Sequence, residues 1–339
     1  MKILFVLKER FYSKNTNSYG LINSSKHVAE YLEHIGHECK VVQVIDGNCI
    51  DAELYEFRPD VVIIEALWVT GSKLKELIEI PRYSNITWIV RVHSDIGFLS
   101  AETMALKYVN DYIELGKDNL HISMNNKRFN DNASQAMDYE FVYLPNIISI
   151  RHGQHNGVDI MKDHIDVGCF GSLRILKNQC YQALCAMEMA DRLGKVLRFH
   201  ITVDVGMSES NNRYPVLMNL EQLFKNSRHE LVKHEWLSNL EFQELIESMD
   251  IGMQLSYTES FNIVSADFVV RDVPIVVSDA ISWLPWLLKT STTDYEKSVR
   301  KLILIYRLRK FKFLRNWMKK NLLKYNDLAK AEWRNFLAY

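Results

Sequence analysis

The sequence has 339 residues, 47% hydrophobic and 24% charged, with 41 basic against 42 acidic side chains and a formal net charge of −1. This composition excludes a disordered tail or a fibre, and at roughly 100–200 residues per domain the length fits two domains with a cleft between them. The near-zero charge is a cancellation: residues 1–150 carry 15 basic and 20 acidic side chains, residues 151–295 carry 13 and 19, and residues 296–339 carry 13 and 3. A polyanionic partner therefore stays open.

The first apolar run, residues 3–7, is too short for a signal peptide and meets Lys8, Glu9 and Arg10 at once, so it reads as a buried strand. A helix is expected over 24–35, with Val28, Tyr31, Leu32 and Ile35 on one face and Gly36 ending it. Strands are expected at 39–45, 61–64, 86–92, 120–123 and 141–144. Their continuous Val/Ile runs suit a parallel sheet buried on both faces. Pro145-Asn146 closes the series, and the polar stretch through Asp166, with His152, His155 and His164, reads as a linker. The rhythm restarts with strands at 167–170, 199–203, 251–255 and 275–277 and helices at 179–193 and 240–248. From Tyr295 the pattern is helical, with Leu302, Ile305, Leu308 and Phe311 separated by basic residues. No run approaches the roughly 18 apolar residues of a membrane span, so no integral membrane segment is expected. Cys39, Cys49, Cys169, Cys180 and Cys185 are scattered, with no C-x-x-C pair, which fits reduced thiols in a cytoplasmic compartment.

Two stretches carry chemistry. In Gly168-Cys169-Phe170-Gly171-Ser172-Leu173-Arg174-Ile175-Leu176-Lys177 a strand runs into a glycine turn, and two cations precede a helix. An oligophosphate could lie there against backbone N–H groups, with Arg174 as a fork donor and Lys177 as a point charge; solvated surface cations are the blander reading. The second stretch is Tyr257-Thr258-Glu259-Ser260-Phe261-Asn262-Ile263-Val264-Ser265-Ala266-Asp267. Glu259 is expected in the loop after a strand, and Asp267 about two turns into a helix starting near Ser260 or Phe261. Spacing alone favours a macrodipole role for Glu259 and a surface position for Asp267.

Taken in order, these pieces resemble the retaining GT-B glycosyltransferases that carry an E-x7-E motif, here E-x7-D. Tyr19-Gly20 with the helix to Gly36-His37-Glu38 resembles that family's N-terminal loop and following turn. Arg58-Pro59-Asp60-Val61-Val62 resembles its third strand, Val92-His93-Ser94-Asp95 its histidine loop, and Leu144-Pro145-Asn146 its interdomain hinge. Phe170-Gly171-Ser172-Leu173-Arg174 with Lys177 resembles its phosphate-binding turn, and Val273-Pro274-Ile275-Val276 its Gly-x-Pro-Val-Val strand. The resemblance implies an α/β GT-B fold of two Rossmann-like domains facing across a cleft. Residues 1–147 would form the acceptor domain, 148–320 the nucleotide-sugar donor domain, and 321–339 a helix crossing back to the N-terminal domain.

It also implies roles. Arg174 and Lys177 would bind the donor diphosphate and offset charge on the departing nucleotide, an effect largest where charge develops. Glu259 would contact hydroxyls of the transferred sugar, and backbone around Ser260, Phe261, Asn262 and Ile263 would hold sugar and phosphate. Asp267 would accept from the ribose, while Gly20, Gly171, Ser172 and Tyr257 complete the donor set. His93, with Ser94 and Asp95, would lie near the sugar or acceptor. The leaving phosphate takes the acceptor proton in this family, so no cofactor or metal is required beside the nucleotide-diphosphate sugar, expected to be a UDP-sugar. Ser260 and Asn262 stand where glycines are usual, Asp267 where Glu is usual, and Arg271-Asp272 where Gly precedes the proline.

Trp236, Trp283 and Trp286 are expected to pack, while Tyr257 either packs or stacks on a base. Arg307, Arg309, Lys310, Lys312, Arg315, Lys319, Lys320 and Lys324 interleave with Phe311, Phe313, Leu314, Trp317 and Leu322. Such a basic amphipathic segment, 300–324, suits DNA phosphates, an anionic membrane face or the acidic body of the chain itself. The run Trp88 to Leu99, with Glu102 and Met104, is similar to a block in glycosyltransferases of large tailed bacteriophages that modify hydroxymethylated cytosine. That similarity implies a hexosyl- or pentosyltransferase acting on duplex DNA containing hydroxymethylcytosine, in the host cytoplasm if phage-encoded. A membrane-associated polysaccharide or glycolipid transferase and an inactive GT-B binding protein are the alternatives.

Overall fold

The computed structural model describes residues 1–9, 19–150, 162–204 and 214–338. Two compact units divide the chain: Met1–Ser149 with Asn326–Tyr339, and Ile150–Tyr325. In the first, β1 (Lys2–Lys8), α1 (Tyr19–His34), β2 (Glu38–Val44), α2 (Ile50–Phe57), β3 (Val61–Glu65), α3 (Gly71–Ile78) and β4 (Thr87–Val92) alternate. α4 (Ile96–Leu99), α5 (Ala105–Glu114), β5 (Leu120–Met124), α6 (Lys127–Met137) and β6 (Val142–Tyr143) follow. The strands make one parallel sheet in the order β2-β1-β3-β4-β5-β6. Its central strands bury every residue of the Val/Ile runs, as helices on both faces require.

α1 begins five residues before the expected start at Ser24. Asn23, Ser24 and Ser25 broke the apolar pattern, yet both serines are buried, and the Ser25 hydroxyl donates to the Leu21 carbonyl at 3.0 Å. That local bond lets a polar residue stay inside a helix.

The second unit contains β7 (His164–Gly168), α7 (Gln179–Arg192), β8 (Val196–Thr202), α8 (Tyr214–Phe224), β9 (Glu230–His234), α9 (Asn239–Glu247) and β10 (Ile251–Gln254). Then come α10 (Ile263–Val270), β11 (Ile275–Ser278), β12 (Lys289–Thr290), α11 (Tyr295–Leu308) and α12 (Lys312–Leu337). Its parallel sheet has the order β12-β11-β10-β7-β8-β9. β7 starts inside the expected linker and ends at Gly168 rather than residue 170. Asp166 hid it: this buried carboxylate sits mid-strand because Lys162 and His200 answer it at 3.0 Å and Arg198 at 3.2 Å. His152 and His155 lie outside the described residues.

The helical run expected from Tyr295 is two helices. α12 buries Leu314, Met318, Leu322, Ala329 and Trp333 along one stripe. Its later part packs on the N-terminal unit, where the Asn326 side chain accepts from Ile148 N at 3.1 Å and donates to Ile148 O at 2.8 Å. Trp333 Nε1 donates to the Pro145 carbonyl at 2.8 Å.

Gly168 and Gly252 are paired across β7 and β10, and the fully buried Phe268 of α10 lies over both. A Cβ on Gly252 would come within 2.7 Å of the Phe268 ring, closer than any real contact. Gly252→Ala is therefore expected to destabilise the fold by roughly 1–3 kcal/mol through overpacking, read as a lower midpoint in denaturant unfolding.

Candidate active site

In the second sheet the strand order reverses between β7 and β10, so the segments leaving their C-terminal ends run to opposite sides and open a crevice between them. Both chemistry-bearing stretches sit there. Two side chains and one backbone bond join them, and two further side chains hold each in place. Tyr257 N donates to Leu176 O at 2.9 Å, and Asn178 Nδ2 to Leu255 O at 3.3 Å. The buried Gln182 accepts from Leu255 N at 3.0 Å and donates to Lys177 O at 2.7 Å. Gln179 ties down Ser172 O at 3.1 Å, and Ser278 Oγ holds Ser256 O at 2.6 Å. Gly171, at φ 103°, supplies the turn that a side chain would resist.

The sequence puts Lys177 and Glu259 far apart, but this framework brings them into a direct ion pair. Glu259 is only 4% exposed, and Asn262 Nδ2 donates to the same Oε1 at 2.9 Å. Arg174 lies three residues before Lys177 at the start of the turn, partly buried, with extended backbone. α10 starts at Ile263, not at Ser260 or Phe261, because Asn262 caps it by accepting from Ser265 N at 2.8 Å.

Asp267 consequently lies just over one turn into α10 rather than two, and it is half-buried rather than a surface residue. Burial pushes its carboxyl up to about 7, against the bond from Gln243 Nε2 (2.7 Å) and the nearby Arg271 charge. The Phe261 side chain is core, stacked between Trp283 and Tyr325 at centroid distances of 5.4 and 4.8 Å, so only its backbone can serve a ligand. Trp236 donates to Asp204, and Trp283 packs as expected, but Trp286 is 73% exposed, contrary to expectation. Tyr257 is exposed beside the crevice.

In the first sheet the order reverses between β1 and β3. Glu65 ends β3 there, fully buried. Arg91, also fully buried, donates to both its oxygens at 3.1 and 3.3 Å, to Leu144 O at 3.0 Å and to Asn146 Oδ1 at 2.6 Å. The single hydroxyl proton of Ser25 is shared between the Leu21 carbonyl and Glu65 Oε1, 2.9 Å away, and His93 Nε2 contacts Glu65 Oε2. Burial alone would raise the Glu65 carboxyl; the Arg91 charge, His93 and Ser25 hold it at about 2. Burial lowers His93, which is therefore neutral at pH 7, with Nε2–H donating to Glu65 and Nδ1 accepting from Asn125 at 3.4 Å.

Of the other expected residues, Asp95 caps α4 through Ile96 N at 2.8 Å and pairs with Arg128 at 2.8 Å, a structural role beside any ligand. Ser94 Oγ reaches Glu102 at 3.5 Å, and Gly20 lies in the first turn of α1 rather than in a loop. Among the described residues no group of three or more His, Cys, Asp or Glu side chains is placed to hold a metal ion.

No family model and no curated protein matches the sequence. Solved structures do. Sucrose-phosphate synthase of Thermosynechococcus elongatus superposes with a TM-score of 0.67 at 10% identity, over 99% of each chain. The lipopolysaccharide outer core galactosyltransferase WaaB gives 0.61 at 13% identity, over 99% of this chain and 98% of that one. A mutant S. aureus TarM, in complex with fondaparinux, α-GlcNAc-glycerol and UDP, gives 0.63 at 10% identity over 84% of this chain. This chain spans 57% of TarM's length. The fold is GT-B.

Asn262 and Asp272, two positions at which the sequence resemblance leads one to expect glycine, both adopt left-handed backbone, at φ 66° and 61°. Asp272 is anchored by Lys319 at 2.7 Å. Sequence reasoning missed Glu65, Arg91 and Asn146. The available signal was a charged residue closing one buried Val/Ile run and another inside the next. At the basic end, Arg309 is buried against Asp250 at 3.4 Å and over the Tyr306 ring at 3.6 Å, whereas Arg307, Lys310, Lys312, Lys320 and Lys324 are exposed. No helix among the described residues is long and apolar enough to cross a membrane.

Glu65→Gln leaves Arg91 buried without its counter-charge, so a loss of roughly 3–5 kcal/mol is expected at pH 7 in denaturant unfolding. A carboxyl depressed in the folded state stabilises above its unfolded value and loses that contribution as pH falls through the folded one. The gap between wild type and Glu65→Gln should therefore narrow from about pH 4.3, the ordinary Glu value, towards 2.

Proposed function

We propose that the protein is a retaining glycosyltransferase that moves a sugar from a nucleotide-diphosphate sugar, best a UDP-sugar, to an acceptor hydroxyl. The observation that carries this reading is the Lys177–Glu259 pair, held beside Arg174 at the strand-order reversal of a GT-B fold. Arg174 and Lys177 bind the diphosphate, and Glu259 orients the sugar through its hydroxyls. Asp267 accepts from the ribose. As the bond from the anomeric carbon to the phosphate oxygen breaks, the acceptor oxygen bonds to that carbon from the same face, and the acceptor proton passes to the leaving phosphate. Charge developing on the nucleotide is answered by the two fixed cations, with no metal required. UDP in the TarM complex supports the donor class.

The acceptor is the 5-hydroxymethyl group of cytosine in duplex DNA. Its support is the phage-like run from Trp88 to Leu99 together with the exposed cations Arg307, Lys310, Lys312, Lys320 and Lys324, which suit a phosphate backbone. The target base would leave the stack to reach the site. A second reading, transfer to a glycolipid or polysaccharide at an anionic membrane face, is favoured by Phe311 and Phe313. These rings are 45% and 54% exposed beside Lys310 and Lys312.

Mass spectrometry of nucleosides decides between them, after incubating hydroxymethylcytosine-containing duplex DNA with the full chain and a panel of UDP-hexoses and UDP-pentoses. A hexosyl or pentosyl mass gain on hydroxymethylcytosine is expected, reduced roughly 100–1,000-fold in Arg174→Ala, where a charge-stabilising donor is removed. Transfer that survives both Arg174→Ala and Glu259→Ala would overturn the site. Donor turnover without DNA modification, alongside binding to anionic vesicles, would replace the DNA acceptor with the membrane one.

A further inference from the structure

Asn262 occupies a left-handed conformation, φ 66° and ψ 87°, that glycine takes without strain and other residues take only at a cost. Its side chain must supply what offsets that cost. The oxygen caps α10 through Ser265 N at 2.8 Å. Capping needs nothing more, yet the amide nitrogen is aimed away from the helix and donates twice, to Gln254 Oε1 and to Glu259 Oε1, both at 2.9 Å. Donors and acceptor are all used. Gln254, itself buried, passes the connection on by donating to Phe170 O at 2.9 Å, at the edge of the phosphate turn.

We infer that Asn262 is a positioning residue for Glu259, fixing the plane of the carboxylate against the turn that carries Arg174 and Lys177. This rests on the glycosyl-transfer reading of the site. Lys177 has two tasks there, because a bound diphosphate draws its ammonium away from Glu259. Asn262 has one. A neutral amide fixed at both ends keeps the carboxylate aimed while the lysine's charge is shared with the donor, and it does so without adding a charge to the site. A carboxylate that must meet particular sugar hydroxyls is sensitive to sub-ångström placement.

The test is Asn262→Gly, assayed with the UDP-sugar of the panel that wild type turns over. Glycine accepts the backbone conformation and is nearly as good a cap, so the variant is expected to keep its cooperative unfolding transition. Its kcat should fall roughly 10–100-fold, while KM for the donor and the affinity for UDP alone hold, since the diphosphate cations are untouched. In a Glu259→Ala background the same substitution should have no further effect on kcat. Asn262→Asp keeps the cap and covers the case in which the glycine variant does not fold. It sets a second carboxylate against Glu259, so as pH rises from 4 to 7 its rate should fall relative to wild type at the same pH, a comparison in which the titration of Asp267, common to both proteins, cancels. A folded Asn262→Gly with kcat within twofold of wild type overturns the inference, as does an Asn262→Asp with the wild-type pH profile. If Glu259→Ala abolishes turnover while a folded Asn262→Gly keeps kcat within twofold of wild type, only the positioning role fails. If Glu259→Ala itself keeps full turnover, the glycosyl-transfer site fails with it.

Discussion

The site depends on one arrangement: a nearly buried carboxylate, Glu259, whose charge is met by Lys177 from a loop that is remote in sequence. An unpaired carboxylate in that position would be costly, and removing either partner leaves the other exposed to the same penalty. The rest of the second unit can be understood from the need to keep the two loops in register. Gln182 and Asn178 bind both loops at their backbones, Gly168 and Gly252 let Phe268 bring α10 down on the sheet, and Asn262 ends the loop where the helix begins. A pair so placed at the reversal of strand order is suited to exchange its internal contact for a ligand that carries both a diphosphate and hydroxyls.

The first unit holds a different solution to the same problem. Glu65 and Arg91 are both fully inside, and each of the three guanidinium nitrogens has an acceptor from another segment: β3, the Leu144 carbonyl and Asn146. Because Arg91 already neutralises Glu65, His93 can remain uncharged and still donate to it, which sets its tautomer. The same cluster links β3, β4 and the chain leaving β6, and the indole of Trp333 lies 5.3 Å from the Arg91 guanidinium. Position of the histidine loop and packing of α12 thus share one set of contacts.

The alternation of buried strands and helices was legible because apolar runs between breakers have few other uses. The edge strands β9 and β12 were not, since one mixes Glu, Lys and His into a partly exposed ribbon and the other has two residues. β7 was misplaced for the opposite reason: Asp166 interrupts it, and its partners come from β8 and from Lys162, which no local pattern announces. Arg174, Lys177 and Glu259 were singled out through a family resemblance, but the contact between Lys177 and Glu259 was not legible, because it depends on which strands are neighbours. Glu65 showed only as a charge closing a buried run, and its partners were hidden for the same cause. Nothing in the sequence showed that Asn262, where the resemblance leads one to expect glycine, takes a left-handed backbone and adds three side-chain bonds.

The most direct test of the central claim, that this crevice takes a nucleotide diphosphate, is calorimetric titration of UDP into the wild-type chain and into Lys177→Ala and Arg174→Ala. UDP should bind wild type and bind each variant roughly 10-fold or more weakly, the scale of one lost charge-assisted hydrogen bond. Equal UDP affinity in all three proteins would contradict the claim.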